Sequence, residues 1–216
     1  MARIPNRNQF AVTRPGWEAI RQTLYDFVPY VAAGHTTLSF FAVPQGQGTS
    51  WAGGGTKSLS DTNMTLAGQL PQGQEFLVQS IEIIAMASVT NPSTAAAVAT
   101  LATIVNDQFI IRRGGNLTFT VLNKVYCQEA PLLRFPPKTN FTIEGGATSQ
   151  AAVADNVLRF LNANAVGRPY LMEPPVKLAS GMNFNITLNW PEGVQAVTNV
   201  HRIGIVLDGI LYRQSQ

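Results

Sequence analysis

The stretch that most constrains this chain is Asp61–Ala87, DTNMTLAGQLPQGQEFLVQSIEIIAMA. It opens on a polar turn, closes a second turn with Gly68, Pro71 and Gly73, and runs into an apolar segment from Phe76 to Met86. β-Branched and aromatic residues dominate that segment, and Gly and Pro punctuate the approach to it. The pattern is that of a loop delivering the chain into a central strand, not of a helix.

The rest of the chain supplies further strands. Thr36–Val43 reads as the first, followed by a Gly-, Gln- and Ser-rich loop over 44–60 around Trp51. Phe109–Arg112 and Leu117–Tyr126 read as a hairpin across Gly114-Gly115. Asn140–Glu144 follows the turn region Pro131–Pro137, and Tyr170–Met172 stands before Pro174-Pro175. Met182–Trp190 is the cleanest strand, with Phe184, Ile186, Leu188 and Trp190 on one face and Asn183, Asn185, Thr187 and Asn189 on the other. Arg202–Leu207 and Ile210–Arg213 flank Asp208-Gly209, which makes either a tight hairpin or one long strand broken by a bulge.

Helical spacing enters in three places. Trp17, Ile20, Leu24, Phe27, Val28 and Val31 recur at helical intervals opposite Glu18, Arg21, Gln22 and Asp26, which predicts an amphipathic helix ending near Pro29. Such a stripe packs on its own core, on a neighbouring subunit or on a membrane surface, and the mixed charges of its polar face disfavour the membrane. In Ser93–Val105 the alanines favour helix and Val, Thr and Ile favour strand; a short crossover helix is the reading taken. Ser149–Asn164 reads as a helix capped by Ser149, with a stripe of Val153, Val157, Phe160 and Leu161.

Many short strands joined by Gly- and Pro-rich turns imply an all-β fold, and long loops on that framework suit a jelly-roll β-sandwich of about eight strands with two or three short helices. The expected organisation is a basic arm and amphipathic helix over residues 1–35, then a single jelly-roll domain over 36–216. Eight strands over that length fit one jelly roll more comfortably than two.

Composition bears on function. Only 12% of the residues are charged, against 45% hydrophobic, and that charge is about half the usual share. A subunit that covers much of its outside with copies of itself needs fewer charges, because unpaired charge is costly to desolvate. Net charge is +3, from eleven Arg and four Lys against twelve acids, too little to mark a nucleic-acid-binding protein by total charge. Arg3, Arg7 and Arg14 fall among residues 1–15 with no acid, the composition of a flexible basic arm or of a terminus with incidental charge. The single cysteine, Cys127, excludes an internal disulfide framework and points to folding in a reducing compartment. The N-terminus has no apolar signal region, and no apolar run reaches the length of a membrane span.

Catalytic patterns find no support. His35 and His201 sit in no zinc motif, and the acids fall in no calcium-binding pattern. GGGTKS (Gly53–Ser58) lacks the glycine before Lys57 that a phosphate-binding loop needs. A carboxylate pair drawn from Asp107, Glu129 or Asp155, or a Cys127 nucleophile with His201 as base, has no supporting context. Four Asn-x-Thr sites, at Asn63, Asn116, Asn140 and Asn185, carry no weight without a secretory route. No catalytic, cofactor-binding or metal-binding residue is assigned, and no cofactor is expected.

In order, LSFFAVPQGQG, SDTNMTLAGQLPQGQEFLV, PLLRFPP, GRPYLMEPPVKL, NFNITLNWP and RIGIVLDGILYRQSQ resemble the jelly-roll major capsid proteins of tailless icosahedral bacteriophages, some of which carry an internal membrane. The resemblance spans most of residues 36–216 as a string of turns and strands. It implies a non-enzymatic coat subunit, made in the host cytoplasm, that self-assembles through trimer-like capsomers into a virion shell with other virion proteins. In that setting Arg3, Arg7 and Arg14 would touch nucleic acid or an internal membrane nonspecifically, and Trp17, Ile20, Leu24 and Phe27 would lock subunits together. The rival expectation is a β-sandwich carbohydrate- or receptor-binding phage module, using exposed Trp51, Tyr170 and the amide-rich loops to stack on and hydrogen-bond sugar.

Overall fold

The computed structural model describes residues 15–50, 54–87, 95–138, 140–145, 159–164 and 167–214. Arg3, Arg7, Arg14, Trp51 and Asp155 lie outside them, as do Ser149 and most of the helix expected to follow it.

The chain folds as four antiparallel pairs nested one inside the next. The outermost joins β1 (Trp17–Tyr30) to β10 (His201–Gln214), with Trp17 opposite Gln214 and Tyr30 opposite His201. Inside it, β2 (Thr37–Phe40) pairs with β9 (Phe184–Asn189), and β3 (Gln74–Ala87) with β8 (Tyr170–Leu178). The innermost pair is β4 (Asn116–Val121) with β5 (Lys124–Glu129). The pairs are dealt alternately to two four-stranded sheets, ordered β1-β10-β3-β8 and β2-β9-β4-β5. That order is a jelly roll. A separate two-stranded ladder, β6 (Asn140–Gly145) with β7 (Arg159–Asn164), is inserted between β5 and β8. The described residues hold one α-helix, α1 (Ala95–Arg113), and a 3-10 turn at Leu132–Arg134, fewer helices than expected.

The core lies between the sheets. Phe184, Ile186 and Leu188 of β9, with Leu117, Phe119 and Val121 of β4, face Phe76, Val78, Ile81 and Ile83 of β3 and Ile203, Ile205 and Leu207 of β10. All are buried, and covering each such side chain stabilises the fold by roughly 1.5–3 kcal/mol before entropy is counted. Phe76–Met86 is the centre of β3, as its composition predicted.

Four readings are corrected. Trp17–Val31 is no helix: its residues form β1, hydrogen-bonded to β10 from end to end, so the sheet crosses the boundary expected between residues 35 and 36. Leu24, Val28 and Tyr30 pack into the core, while Phe27 points to the opposite face and lies on Gly204, where an added Cβ would sit 2.1 Å from its ring. Apolar residues on both faces of one strand imitate a helical stripe. Phe109–Arg112 is the end of α1, not a strand. Gly114-Gly115 ends that helix, with Gly115 at φ +78° against the Trp190 indole; the hairpin is β4–β5 alone. Residues 159–164, placed in a helix, form β7, where cross-strand pairing with β6 overrides local spacing. β8 runs through Pro174-Pro175 instead of stopping, because it is an edge strand and 172–175 have no partner in β3, so the missing N–H groups break no ladder. At Asp208-Gly209 the bulge holds: β10 is continuous, with its register to β3 shifted there.

Candidate functional site

Among the described residues three polar clusters are buried: two are built by a loop reaching a strand, and one by a helix meeting the connection into a strand. In the first, Asp26 of β1 points inward, fully buried. The Lys57 ammonium lies 2.6 Å from its Oδ1, and the Phe41 backbone N–H donates to its Oδ2 at 2.7 Å. Burial pushes the Asp26 carboxyl up despite the bonds from Lys57. Lys57, set aside as part of a failed phosphate loop, is thus the anchor that ties the 44–62 loop to β1. Next to it, the Arg202 guanidinium sits 4.1 Å over the Phe27 ring and 3.3 Å from Asp61. Burial works against the Asp61 charge, but bonds from Ser58, Ser50 and Arg202 hold its carboxyl below the usual range.

The second cluster ties α1 to the β9–β10 connection. Asp107, fully buried, accepts from the Thr198 N–H (2.9 Å), the Asn199 N–H (2.9 Å), the Asn199 amide (2.9 Å) and His201 Nε2 (3.2 Å). Burial alone would raise its pKa, yet these donors hold it at about 2. Burial pushes the His201 imidazole down, with Asp107 opposing. Gln108 and Arg112, on the same helix, donate to the β3 carbonyls of Ala85 and Ile83 at 3.1 and 3.3 Å, closing the edge of β3 beyond the end of β8.

The third lies on the outward side of the first sheet. Lys138 joins two buried acids there: its backbone N–H donates to Glu82 at 2.6 Å and its ammonium pairs with Asp208. Burial lowers the Lys138 pKa, with Glu82 opposing.

These placements bear on each expected site. Cys127 and His201 lie on different sheets. The thiol is buried on β5, pushed up by burial and by Glu129, and His201 is committed to Asp107. Of the candidate acids, Asp107 is saturated with donors and Glu129 is held by Arg134 and the Tyr170 hydroxyl. Tyr170 is packed rather than displayed, its ring 4.8 Å from Phe135. Leu24 and Phe27 are buried within the subunit, leaving Trp17 and Ile20 half-buried at the outer end of β1. Among the described residues no three His, Cys, Asp or Glu side chains converge to hold a metal ion, and no helix is long and apolar enough to cross a membrane.

Val105 and Phe109 are exposed one turn apart on α1, and Leu122, Val125 and Tyr126 are exposed on the β4–β5 hairpin. Neither set was singled out in the sequence; an apolar residue on the water side of an element shows itself only once the buried side is known.

Comparison with known proteins yields no matching family model, no matching curated protein and no matching solved structure.

Proposed function

We propose that this chain is a coat subunit, a jelly-roll capsid protein of the kind found in tailless icosahedral bacteriophages. The observation that carries the reading is the nested strand order, β1-β10-β3-β8 over β2-β9-β4-β5. It yields a closed, rigid block whose loops and edges are free to vary, which is what a shell-building unit requires. Charge on only 12% of residues favours contact with further copies over life as a solvated monomer. The buried clusters support a mechanical role, because every acid described in them is spent on holding a loop or helix to a strand. The partners are copies of the same chain, in trimer-like capsomers and a larger shell, together with other virion proteins. Residues 1–15, with Arg3, Arg7 and Arg14, touch nucleic acid or an internal membrane through nonspecific charge.

Electron microscopy of the expressed protein, with light scattering after size exclusion, tests the proposal. Closed shells or capsomer-sized oligomers are expected; a monomer at every salt and protein concentration would sink it. Deleting residues 1–15 is expected to weaken binding to nucleic acid or anionic vesicles and leave the circular dichroism of the sandwich unchanged.

A further inference from the structure

The four edges of the two sandwich sheets are protected unequally. β1 is closed over its middle by the 61–63 segment: the Phe27 N–H donates to the Asp61 carbonyl at 2.8 Å, and the Asn63 N–H to the Tyr25 carbonyl at 3.4 Å. β8 carries Pro174 and Pro175, and β2 is four residues long. β5 is six residues long, carries no proline and, among the described residues, pairs with β4 alone. Its guards are a bulge at Tyr126, where Phe119 faces Cys127 and Thr120 faces Val125, and the charges of Lys124 and Glu129 at its two ends. Around that edge Leu122, Val125 and Tyr126 are 54%, 50% and 43% exposed.

We propose that β5 is a pairing edge for a second copy of this chain, joined antiparallel about a two-fold axis so that the second sheet runs through both subunits. The charge order of the strand selects that partner. KVYCQE begins on Lys124 and ends on Glu129. With Tyr126 opposite Cys127 of the second copy, Lys124 falls opposite Glu129 and Val125 opposite Gln128, twice over by symmetry. Lys124 and Glu129 share a face, since both stand opposite the inward residues Val121 and Leu117 of β4. Their side chains therefore meet across the joint, whereas an in-register parallel joint would set Lys against Lys. Glu129 already accepts from Arg134 and from the Tyr170 hydroxyl, and a carboxylate has lone pairs left for one more cation. The inference rests on the coat reading in taking a second copy as the occupant.

Disulfide trapping isolates this joint from any other contact in the assembly. In the double variant Val125→Cys, Gln128→Cys the new thiols face each other across the joint, at a cross-strand Cα separation of about 4.5–5.5 Å that a disulfide accepts. Within one strand the same positions stand about 10 Å apart and cannot bridge. Mild oxidation is expected to give a covalent dimer on a non-reducing gel, with Val125→Cys alone remaining a monomer there. Lys124→Glu and Glu129→Lys, each checked for folding by circular dichroism, are expected to weaken dimerisation at least tenfold in sedimentation, and mixing the two variants to restore it. Failure to trap the dimer, or a Lys124→Glu protein that associates like the wild type, overturns the proposal. Shells that form without the trapped joint would leave the coat reading standing and remove β5 from it. A trapped dimer that never builds a larger assembly would do the reverse.

Discussion

Asp26 and Asp107 are both fully buried carboxylates, and the protein treats them in opposite ways. Asp26 is matched by a cation, Lys57, and its pKa is raised even so. Asp107 has four donors arranged around it, three of them from Thr198 and Asn199, and its pKa falls to about 2. Asp26 is set deeper in the protein, and there burial outweighs Lys57, the Phe41 N–H and Thr62 together; around Asp107 the burial cost is smaller, and four donors aimed at the carboxylate outweigh it. The two sites also hold different things: Asp26 fastens the 44–62 loop to β1, and Asp107 fastens α1 to the start of β10.

The largest test of that contrast is Lys57→Met. It leaves a buried carboxylate with the Phe41 N–H and Thr62 as its remaining partners and no countercharge, and is expected to cost about 3–5 kcal/mol in denaturant unfolding. The double variant Asp26→Asn, Lys57→Met should recover most of this loss, because the pair as a whole is worth far less than either half left alone. If the single and double variants are equally unstable, Lys57 acts by packing and not by charge.

Acid separates the sites next. The Asp107 carboxyl is depressed in the fold, so its stabilisation is complete above the ordinary carboxylate pKa and is lost as pH falls from 3.8 towards about 2. That loss amounts to roughly 2 kcal/mol. His201 acts in the same direction from a higher pH. Its folded pKa lies below 6.5, so the unfolded chain takes up the proton first and stability begins to fall below that value. Asp107→Asn, itself destabilised, should flatten the low-pH part of the curve; thermal unfolding from pH 7 down to about 2 measures both parts. A curve unchanged by the substitution would remove Asp107 from the account.

The smallest expected effect is Asn199→Ala. It deletes the amide that bridges Asp107 and Thr103 but leaves the backbone donors of Thr198 and Asn199 in place. About 1 kcal/mol is expected, with the loss concentrated in α1, where amide exchange should rise before it does in β3.

The same two acids explain much of what could and could not be read from the sequence. β3 and β9 were legible because their patterns are one-sided: β9 alternates in and out, and β3 is apolar through its centre. β1 was not, because Asp26 occupies an inward position that a polar residue ordinarily vacates. It does so only with Lys57, thirty-one residues on, beside it. Phe27 added to the confusion by using Gly204, which local spacing could not bring to it. The end of α1 was legible in principle: Arg112 and Arg113 in the last turn followed by Gly114-Gly115 are helix-ending chemistry. The glycine pair was given to a hairpin instead. The polar clusters were hidden for a plainer reason, since each unites residues tens of positions apart. The β5 edge was equally invisible, because which strand is left at an edge is decided by the pairing of all the others.

The outermost pair has a bearing on when this protein can exist at all. β10 lies between β1 and β3, and the Glu18–Arg213 ion pair spans 195 positions of chain. A nascent polypeptide emerging from the ribosome can close β4 on β5 early, but the first sheet has no middle until β10 has been made. Maturation of that sheet is therefore a late, slow event governed by distant contacts, and an interrupted translation product lacks the surface on which the whole subunit is laid out. The placement of one strand thus acts as a proofreading step, admitting only chains that have been made through β10 to the next stage of their use.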